Sequence, residues 1–329
     1  MHWITTMPTV ERDAHQGAAL TVLLLGASGF IGSYVLRALL SQGVQVIGVR
    51  RNQAPRTPVP PEAVVSGQLQ WRVLQVHQLL STSAWQAQLQ GVHVVINCVG
   101  ILRQRVGERY EDVHHHMPQA LSAACAQQGV RLIHTSALGL HEQAKSRFLA
   151  SKLRGEQALV ASDADYCIVR PSLIDGLGGF GASWLRMLAS WPVHLVPRGA
   201  VGRIAAVQAS DLGEAYARLA QLPTLIGCRQ ANLGGERVLA YCEYLQLLRG
   251  VEHSTPTPRA IQIQLPDWIS RMGAHLCDLF RFSPFSYGHW ILLQRDNVPV
   301  PNALPGLLGR PPAPVSYARV ALRDDFRLS

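Results

Sequence analysis

Lysine is nearly missing from this chain. Of 329 residues only Lys145 and Lys152 are lysine, and arginine fills every other one of the 30 basic positions. A lysine at a motif position therefore carries more weight than usual. Long apolar runs are missing too. None reaches the roughly 18 residues that a membrane-spanning helix needs. Charge is scarce, at 16% against 48% apolar content, which excludes a disordered chain. The six cysteines, Cys98, Cys125, Cys167, Cys228, Cys242 and Cys277, contain no CxxC pair. They read as reduced core thiols of a cytosolic protein. No basic block exists either. The net charge of +9 is spread over dispersed arginines, which speaks against a nucleic-acid partner. Attraction to anionic lipid or to an acidic protein stays open. Residues 1–20 lack a basic start followed by an apolar stretch, and Glu11 and Asp13 disfavour a transit peptide. They read as a loose extension, with Met7 as a second possible start.

What is present is a glycine turn. The apolar run Val22–Leu25 leads into Gly26-Ala27-Ser28-Gly29-Phe30-Ile31-Gly32 and then an amphipathic stretch to Leu40. Strand, phosphate-binding turn and helix N-terminus look like this in sequence. Gly26 permits the turn, Gly29 lets backbone N–H groups approach a pyrophosphate, and Gly32 lets helix and strand pack closely. The positive end of the helix dipole then faces the anion. These seven residues are the expected dinucleotide cradle.

Strand and helix signals alternate from there. Strands are expected at Thr21–Leu25, Val44–Val49, Trp71–Val76, Val92–Val99, Arg131–Thr135 and Tyr166–Arg170. Helices are expected around Ile31–Leu40, Ser83–Leu89, Pro118–Gln128 and Lys152–Ala161. This order predicts an α/β fold, a doubly wound parallel Rossmann sheet. After Pro171 a loop rich in glycine (Gly176, Gly178, Gly179, Gly181) can admit a ligand, with a short helix at Trp184–Ser190. The expected organisation is an extension over 1–20, a dinucleotide-binding domain over 21–234 and a smaller C-terminal substrate or partner lobe over 235–329.

The second strand ends in Arg50-Arg51, where a site for NAD(H) usually carries a carboxylate. Arginine pairs instead with a 2′-phosphate, so NADP(H) is favoured over NAD(H). A solvated arginine pair is the plain alternative. The later strands end in Asn97-Cys98-Val99-Gly100 and His134-Thr135-Ser136, and Phe148-Leu149-Ala150-Ser151-Lys152 follows.

With these segments on view, the chain resembles the extended or atypical short-chain dehydrogenase/reductase superfamily. It looks most like the branch that holds the NADPH-binding accessory subunit of respiratory complex I and its bacterial relatives. The residues that carry the likeness are GASGFIG (26–32), VINCVGIL (95–102), YEDVHHHMPQAL (110–121) and GVRLIHTSALG (129–139). SRFLASKLRGEQAL (146–159), IVRPSLIDG (168–176) and LLQRDNV (292–298) extend it. The resemblance implies that Cys98, Val99, Gly100, Thr135, Pro171 and Ser172 line the cofactor. It also implies a catalytic serine, tyrosine and lysine. Ser136 matches the serine and Lys152 the lysine, which holds the nicotinamide ribose. The tyrosine position is Phe148, which has no proton to give. The supporting asparagine is His114, and the Gly-Asp that often follows the third strand is absent from Leu74–Gln78.

Cofactor positions survive and the proton donor is gone. Loss of a general acid–base costs ~10²–10⁴ in rate. The expectation is an NADP(H)-binding protein with weak or no oxidoreductase turnover, linked by resemblance to electron transport or quinones at the cytoplasmic face of a membrane. Two alternatives remain: an active NADPH-dependent reductase or epimerase-like enzyme with a substitute donor such as Tyr110, His141 or water, and a regulator that senses NADP(H). His114-His115-His116 is a poor metal site, since consecutive helical residues diverge. Asp211 reads as a helix N-cap. Between Leu265 and Leu293, Trp268, Ile269, Met272, Leu276, Leu279 and Phe280 fall at helical spacing. Phe282, Phe285, Tyr287 and Trp290 follow, with Arg271, His275 and Arg281 among them. This stretch reads as a lid over the sheet domain, or as a membrane-surface or protein-docking helix.

Overall fold

The computed structural model describes residues 19–51, 60–105, 107–143, 146–252, 258–280 and 287–315. Its first half alternates β1 (Thr21–Leu25), α1 (Phe30–Ser41), β2 (Gln45–Arg50), α2 (Pro61–Val65), β3 (Leu69–Val73), α3 (Thr82–Gln86) and β4 (Val94–Asn97). A π-helical turn (Asp112–His116) leads into α4 (Met117–Gln128), then β5 (Arg131–Thr135), α5 (Arg147–Val160) and β6 (Tyr166–Pro171). The rest runs β7 (Ile174–Asp175), α6 (Phe180–Ser190), β8 (Val193–Pro197), β9 (Arg203–Ile204), β10 (Val207–Gln208), α7 (Ala209–Gln221) and β11 (Gln230–Leu233). It ends with β12 (Leu239–Ala240), α8 (Tyr241–Glu252), β13 (Ile261–Leu265), α9 (Asp267–Phe280), α10 (Tyr287–Leu292) and α11 (Leu304–Leu308).

Seven strands form one sheet in the order β11-β6-β5-β4-β1-β2-β3. Every pairing in it is parallel. The expected doubly wound Rossmann sheet is what the chain builds. Successive residues of β1 feed opposite cores. Val22 and Leu24 pack with α1, α7 and α11, while Leu23 and Leu25 pack with Trp85 and the apolar side of α4. That two-sided burial is why β1 reads as an unbroken apolar run. The strand order reverses between β1 and β4, which opens a crevice at the carboxyl ends of those strands.

A third core gathers Ala189, Val196, Ile204, Tyr244 and Leu248 from α6, β8, β9 and α8. A buried ion pair, Arg186 with Asp175, anchors α6 to the strand end that precedes it. A fourth, small cluster holds Phe148 and Leu149 of α5 with Tyr110, Leu140, Ile291 and Leu292. It is the seam between the sheet domain and α10. No helix among the described residues is long and apolar enough to cross a membrane.

Candidate functional site

The glycine turn has the geometry that its spacing demands. Gly26 sits at φ +75°, and a Cβ there would fall 3.2 Å from the Cys98 carbonyl carbon and oxygen. Any other residue would push the turn off the end of β4. A Cβ on Gly32 would lie 2.1 Å from the Gly26 oxygen, so helix and turn touch backbone to backbone. The Gly29 N–H donates to the Gly26 oxygen (2.8 Å) and closes the turn. Gly29 is then the N-cap of α1. It offers no side-chain cap, and the first turn holds no acidic residue. The leading N–H groups of α1 are left for an anion. Phe30 and Tyr34 pack edge to face at 5.8 Å. The loop after β7 rests on them: a Cβ on Gly179 would strike the Phe30 ring at 2.7 Å, and the Tyr34 hydroxyl donates to the Leu177 oxygen (3.1 Å). The glycine-rich loop expected to admit a ligand thus folds over the start of α1.

Arg50 and Arg51 part company. The Arg50 guanidinium lies 4.8 Å above the Trp71 ring, and its buried Nε has no partner. Gly48 makes room for that ring, since a Cβ there would meet the indole at 2.8 Å. A buried, unpartnered donor at the end of β2 fits an incoming phosphate. Arg51 forms an ion pair with Glu108, on the short hairpin between Arg105 and Glu108.

The ends of β4 and β5 sort into scaffold and site. Asn97 Oδ1 accepts from the Val99 N–H (3.0 Å), and its Nδ2 donates to His134 Nδ1 (3.1 Å). Burial, helped by the Lys152 charge, pushes His134 down to about 3 and keeps it a neutral acceptor. The Tyr216 hydroxyl donates to Thr135 Oγ1 (2.6 Å), which donates to Cys98 Sγ (3.6 Å). Burial pushes the Cys98 thiol up to about 12, so it is no thiolate. The side chains of Cys98 and Thr135 thus face the core, and only the backbone of Cys98, Val99 and Gly100 remains for the cofactor side. Ser136 differs. Its buried Oγ has no partner, and its N–H is used by the Val169 oxygen (2.8 Å).

Phe148 and Lys152 stand one turn apart on α5. The Phe148 ring is buried under α10, where a Cβ on Gly288 would come 3.6 Å from its Cδ1. Tyr110 reaches this ring from outside the motif, with centroids 5.7 Å apart. The Tyr110 hydroxyl donates to the Leu102 oxygen (2.9 Å). Burial pushes the half-buried Lys152 down to about 8, against the upward pull of Glu156. Glu156 itself pairs with Arg170. His114 stacks on Tyr110 at 5.6 Å and is buried. Its Nε2 accepts from the Ile101 N–H (3.2 Å) and its Nδ1 bonds Ser151 Oγ (3.0 Å). Since Ser151 donates onward to the Phe148 oxygen (2.9 Å), the proton of His114 sits on Nδ1. This histidine ties the loop after β4 to α5. Gly155 makes the contact possible, because a Cβ there would lie 1.9 Å from the His114 oxygen.

Other expected positions are committed elsewhere. Pro171 ends β6 in register with Leu233. The Ser172 hydroxyl donates to the Asn297 oxygen (2.6 Å), and Asn297 Nδ2 donates to the Leu138 oxygen (3.1 Å). Asp211 is not the N-cap of α7, a correction to the sequence expectation. That cap is Gln208, and the buried Asp211 carboxylate instead holds Arg310 (2.9 Å) and the Ala313 N–H (2.5 Å). Arg281, Phe282 and Phe285 lie outside the described residues, as do residues 1–18 and the side chains of Leu279 and Phe280. Trp71, Glu108, His134 and Ser151 were not legible as site residues. Gly48 inside a buried strand was the one signal that pointed to a large neighbour such as Trp71.

Residues 26–179 match the NAD(P)H-binding family model. The chain is 29% identical to a protein of Caulobacter vibrioides named ceramide reductase, over 75% of this chain and 74% of that one. It is 28% identical to mouse mitochondrial NADH dehydrogenase [ubiquinone] 1 alpha subcomplex subunit 9, over 94% of this chain and 80% of the other. Among solved structures, a nucleoside-diphosphate-sugar epimerase of Staphylococcus aureus superposes with a TM-score of 0.68 at 15% identity, covering 90% of this chain and 98% of that one. An NADPH-dependent quinone oxidoreductase of Escherichia coli gives 0.66 at 19% identity, covering 92% and 99%. These two likenesses show the fold. The likeness to NAD(P)H-binding proteins covers the segment from Gly26 to Gly179, and the chain carries that segment on a Rossmann-like α/β fold of the kind these structures share.

Proposed function

We propose that this chain binds NADP(H) in preference to NAD(H), turns it over weakly or not at all, and acts as an accessory factor to electron transport or quinone chemistry. One observation carries this reading. The position where the fold's chemistry needs a phenol holds Phe148, buried beneath α10, while Lys152 is kept beside it and the Ser136 Oγ at the end of β5 is buried without a partner.

The N–H groups at the start of α1 receive the pyrophosphate. Arg50 takes the 2′-phosphate from its perch on Trp71. Lys152 holds the nicotinamide ribose, and Ser136 offers its hydroxyl to a carbonyl or carboxamide oxygen. When bound, the nicotinamide supplies a hydride donor or acceptor. Phe148 fills the space of a proton donor with a ring that cannot ionise, so reduction of a carbonyl stalls for want of a proton. The mouse relative is named as a subunit of an NADH dehydrogenase, which supports an accessory role, and in that role the chain works at the cytoplasmic face of a membrane beside a protein partner.

A second reading has its own support. Tyr110 packs against Phe148 and His114, and a relative is named ceramide reductase. With Tyr110 swung off the Leu102 oxygen, the protein is an active reductase. Two measurements decide. Mass spectrometry of the small molecule released on denaturing purified protein is expected to find NADP(H); NAD(H) or nothing sinks the cofactor assignment. Assays on a carbonyl panel are expected to show negligible wild-type turnover. Rapid turnover abolished by Lys152→Ala and by Tyr110→Phe establishes the second reading in place of the first.

A further inference from the structure

The lobe beyond the sheet wears its apolar residues outward. β13 reads IQIQL, the alternation of a strand with one buried face. Its isoleucines belong inside by that rule. The register with β8 reverses it: Ile263 lies beside Leu195, and Gln264 beside Val196. Leu195 is 53% exposed, whereas His194 and Val196 are buried. Gln262 and Gln264 lie in register with the buried His194 and Val196 but are exposed themselves, and Ile261 and Ile263 stand in the open too, Ile261 at 67%.

α9 repeats the inversion. Trp268, Met272 and Leu276, four residues apart, are exposed, with Trp268 at 67%, while Ser270 and Ala274 face the protein. α10 packs over Phe148, whereas α9 leaves its large apolar residues exposed. The helix follows directly on the strand pair. Asp267 Oδ1 accepts from the Gly199 N–H (2.7 Å) and closes the end of β8 onto the start of α9. At the other end, the Ile261 N–H donates to the Pro192 oxygen (2.9 Å), next to the exposed Trp191.

Charge narrows the occupant. Residues 176–210 contain no aspartate or glutamate, and residues 258–280 contain only Asp267, whose carboxylate accepts from the Gly199 N–H, and Asp278 near the end of α9. Arg198, Arg259, Arg271 and His275 are exposed around the apolar face. A second copy docked on this face would set arginine against arginine with too few carboxylates to pair them. A surface of anionic headgroups over acyl chains matches both features, as it does for interfacial helices with aromatic anchors and a basic rim.

We propose that the face built by β8, β13 and α9 docks on an anionic lipid bilayer. Ile263, Trp268 and Met272 enter the acyl boundary, and Arg198, Arg259 and Arg271 meet the headgroups. The inference is independent of the nucleotide site, so failure of either leaves the other standing.

The test is co-sedimentation of the full chain with phosphatidylcholine vesicles, with and without phosphatidylglycerol. Binding is expected on the anionic vesicles and to weaken as salt is raised. The double variant Ile263→Ser, Trp268→Ser is expected to lower the partition coefficient about tenfold or more. Arg271→Glu is expected to lower it about fivefold, on the anionic vesicles alone. Both variants should keep the thermal midpoint and the nucleotide affinity of the parent. No sedimentation with anionic vesicles overturns the proposal. So does binding that well-folded variants leave unchanged. A wild-type dimer that Ile263→Ser dissolves, with no vesicle binding, would give the face to a second copy instead.

Discussion

The ammonium of Lys152 lies 5.9 Å from the centre of the Phe148 ring, one turn behind it on α5. In place of a phenol that could share its proton, the lysine has a hydrocarbon face. Its charge is attracted weakly by the ring, and burial has lowered its pKa to about 8.

Phe148→Tyr puts a hydroxyl back beside that lysine. NADPH-dependent carbonyl reduction is expected to rise by ~10²–10⁴ over the parent. The hydroxyl enters a seam of Leu140, Ile291 and Leu292, and an unmet hydrogen bond there costs about 1–3 kcal/mol. Loss of NADPH absorbance and thermal melting read the two effects. A variant as inert as its parent would show that more than the phenol is missing.

The two arginines at the end of β2 should respond in opposite ways. Arg50→Ala removes the guanidinium that lies over Trp71 with its Nε unpartnered, and is expected to weaken NADPH at least about tenfold, with little change for NADH. Arg51 is neutralised by Glu108. Glu108→Gln frees it and is expected to tighten NADPH a few-fold. Titration calorimetry with both nucleotides checks the pair. Equal losses for NADPH and NADH in Arg50→Ala would remove the 2′-phosphate assignment.

Acid should destabilise this protein through its buried histidines. Burial holds His114 well below its ordinary value and His134 at about 3, with the Lys152 charge adding to both. Both stay neutral in the fold while the unfolded chain takes up protons near pH 6.5. The unfolded state then binds more protons, so stability falls as pH drops below about 6.5, by about 1.4 kcal/mol per pH unit for each histidine. Urea denaturation between pH 7 and pH 5 measures the slope. His134→Gln, which keeps an acceptor for Asn97, should flatten it.

Two glycines of similar look should part under mutation. A Cβ on Gly155 would overlap the His114 carbonyl, so Gly155→Ala is expected to cost about 1–3 kcal/mol or more as α5 shifts off the π-helical turn. Gly273 in α9 has nothing within 4 Å of a built Cβ. Gly273→Ala is expected to stabilise by about 0.5–1 kcal/mol. Thermal melting distinguishes them, and a neutral Gly155→Ala would show that the close contact is not needed.

Much of the site could be read in order along the chain, because its parts are local. The turn from Gly26 to Gly32 needs only neighbouring residues. The spacing of Phe148 and Lys152 follows from one helix. The partners that decide what these groups do come from far away. Glu108 neutralises Arg51 across a gap of 57 positions, which no local pattern encodes. His114 could be recognised only as a departure. Its role became visible once Ile101 and Ser151 were seen on either side of the ring. Asp211 misled because an acid early in a helix resembles a cap, while its partners Arg310 and Ala313 lie about a hundred residues on.

The amino-acid order alone determined the parallel sheet and the glycine cradle. Apolar runs, breaks and glycines act through the backbone within a few residues, so their meaning survives without the fold. It also determined that no phenol stands in the motif on α5, since a side chain's chemistry does not depend on where it lands. Which way β13 and α9 turn their apolar sides was decided only in three dimensions. Alternation names two faces but not the inner one, and that choice falls to register and neighbours: Leu195 beside Ile263, and Gly199 holding Asp267.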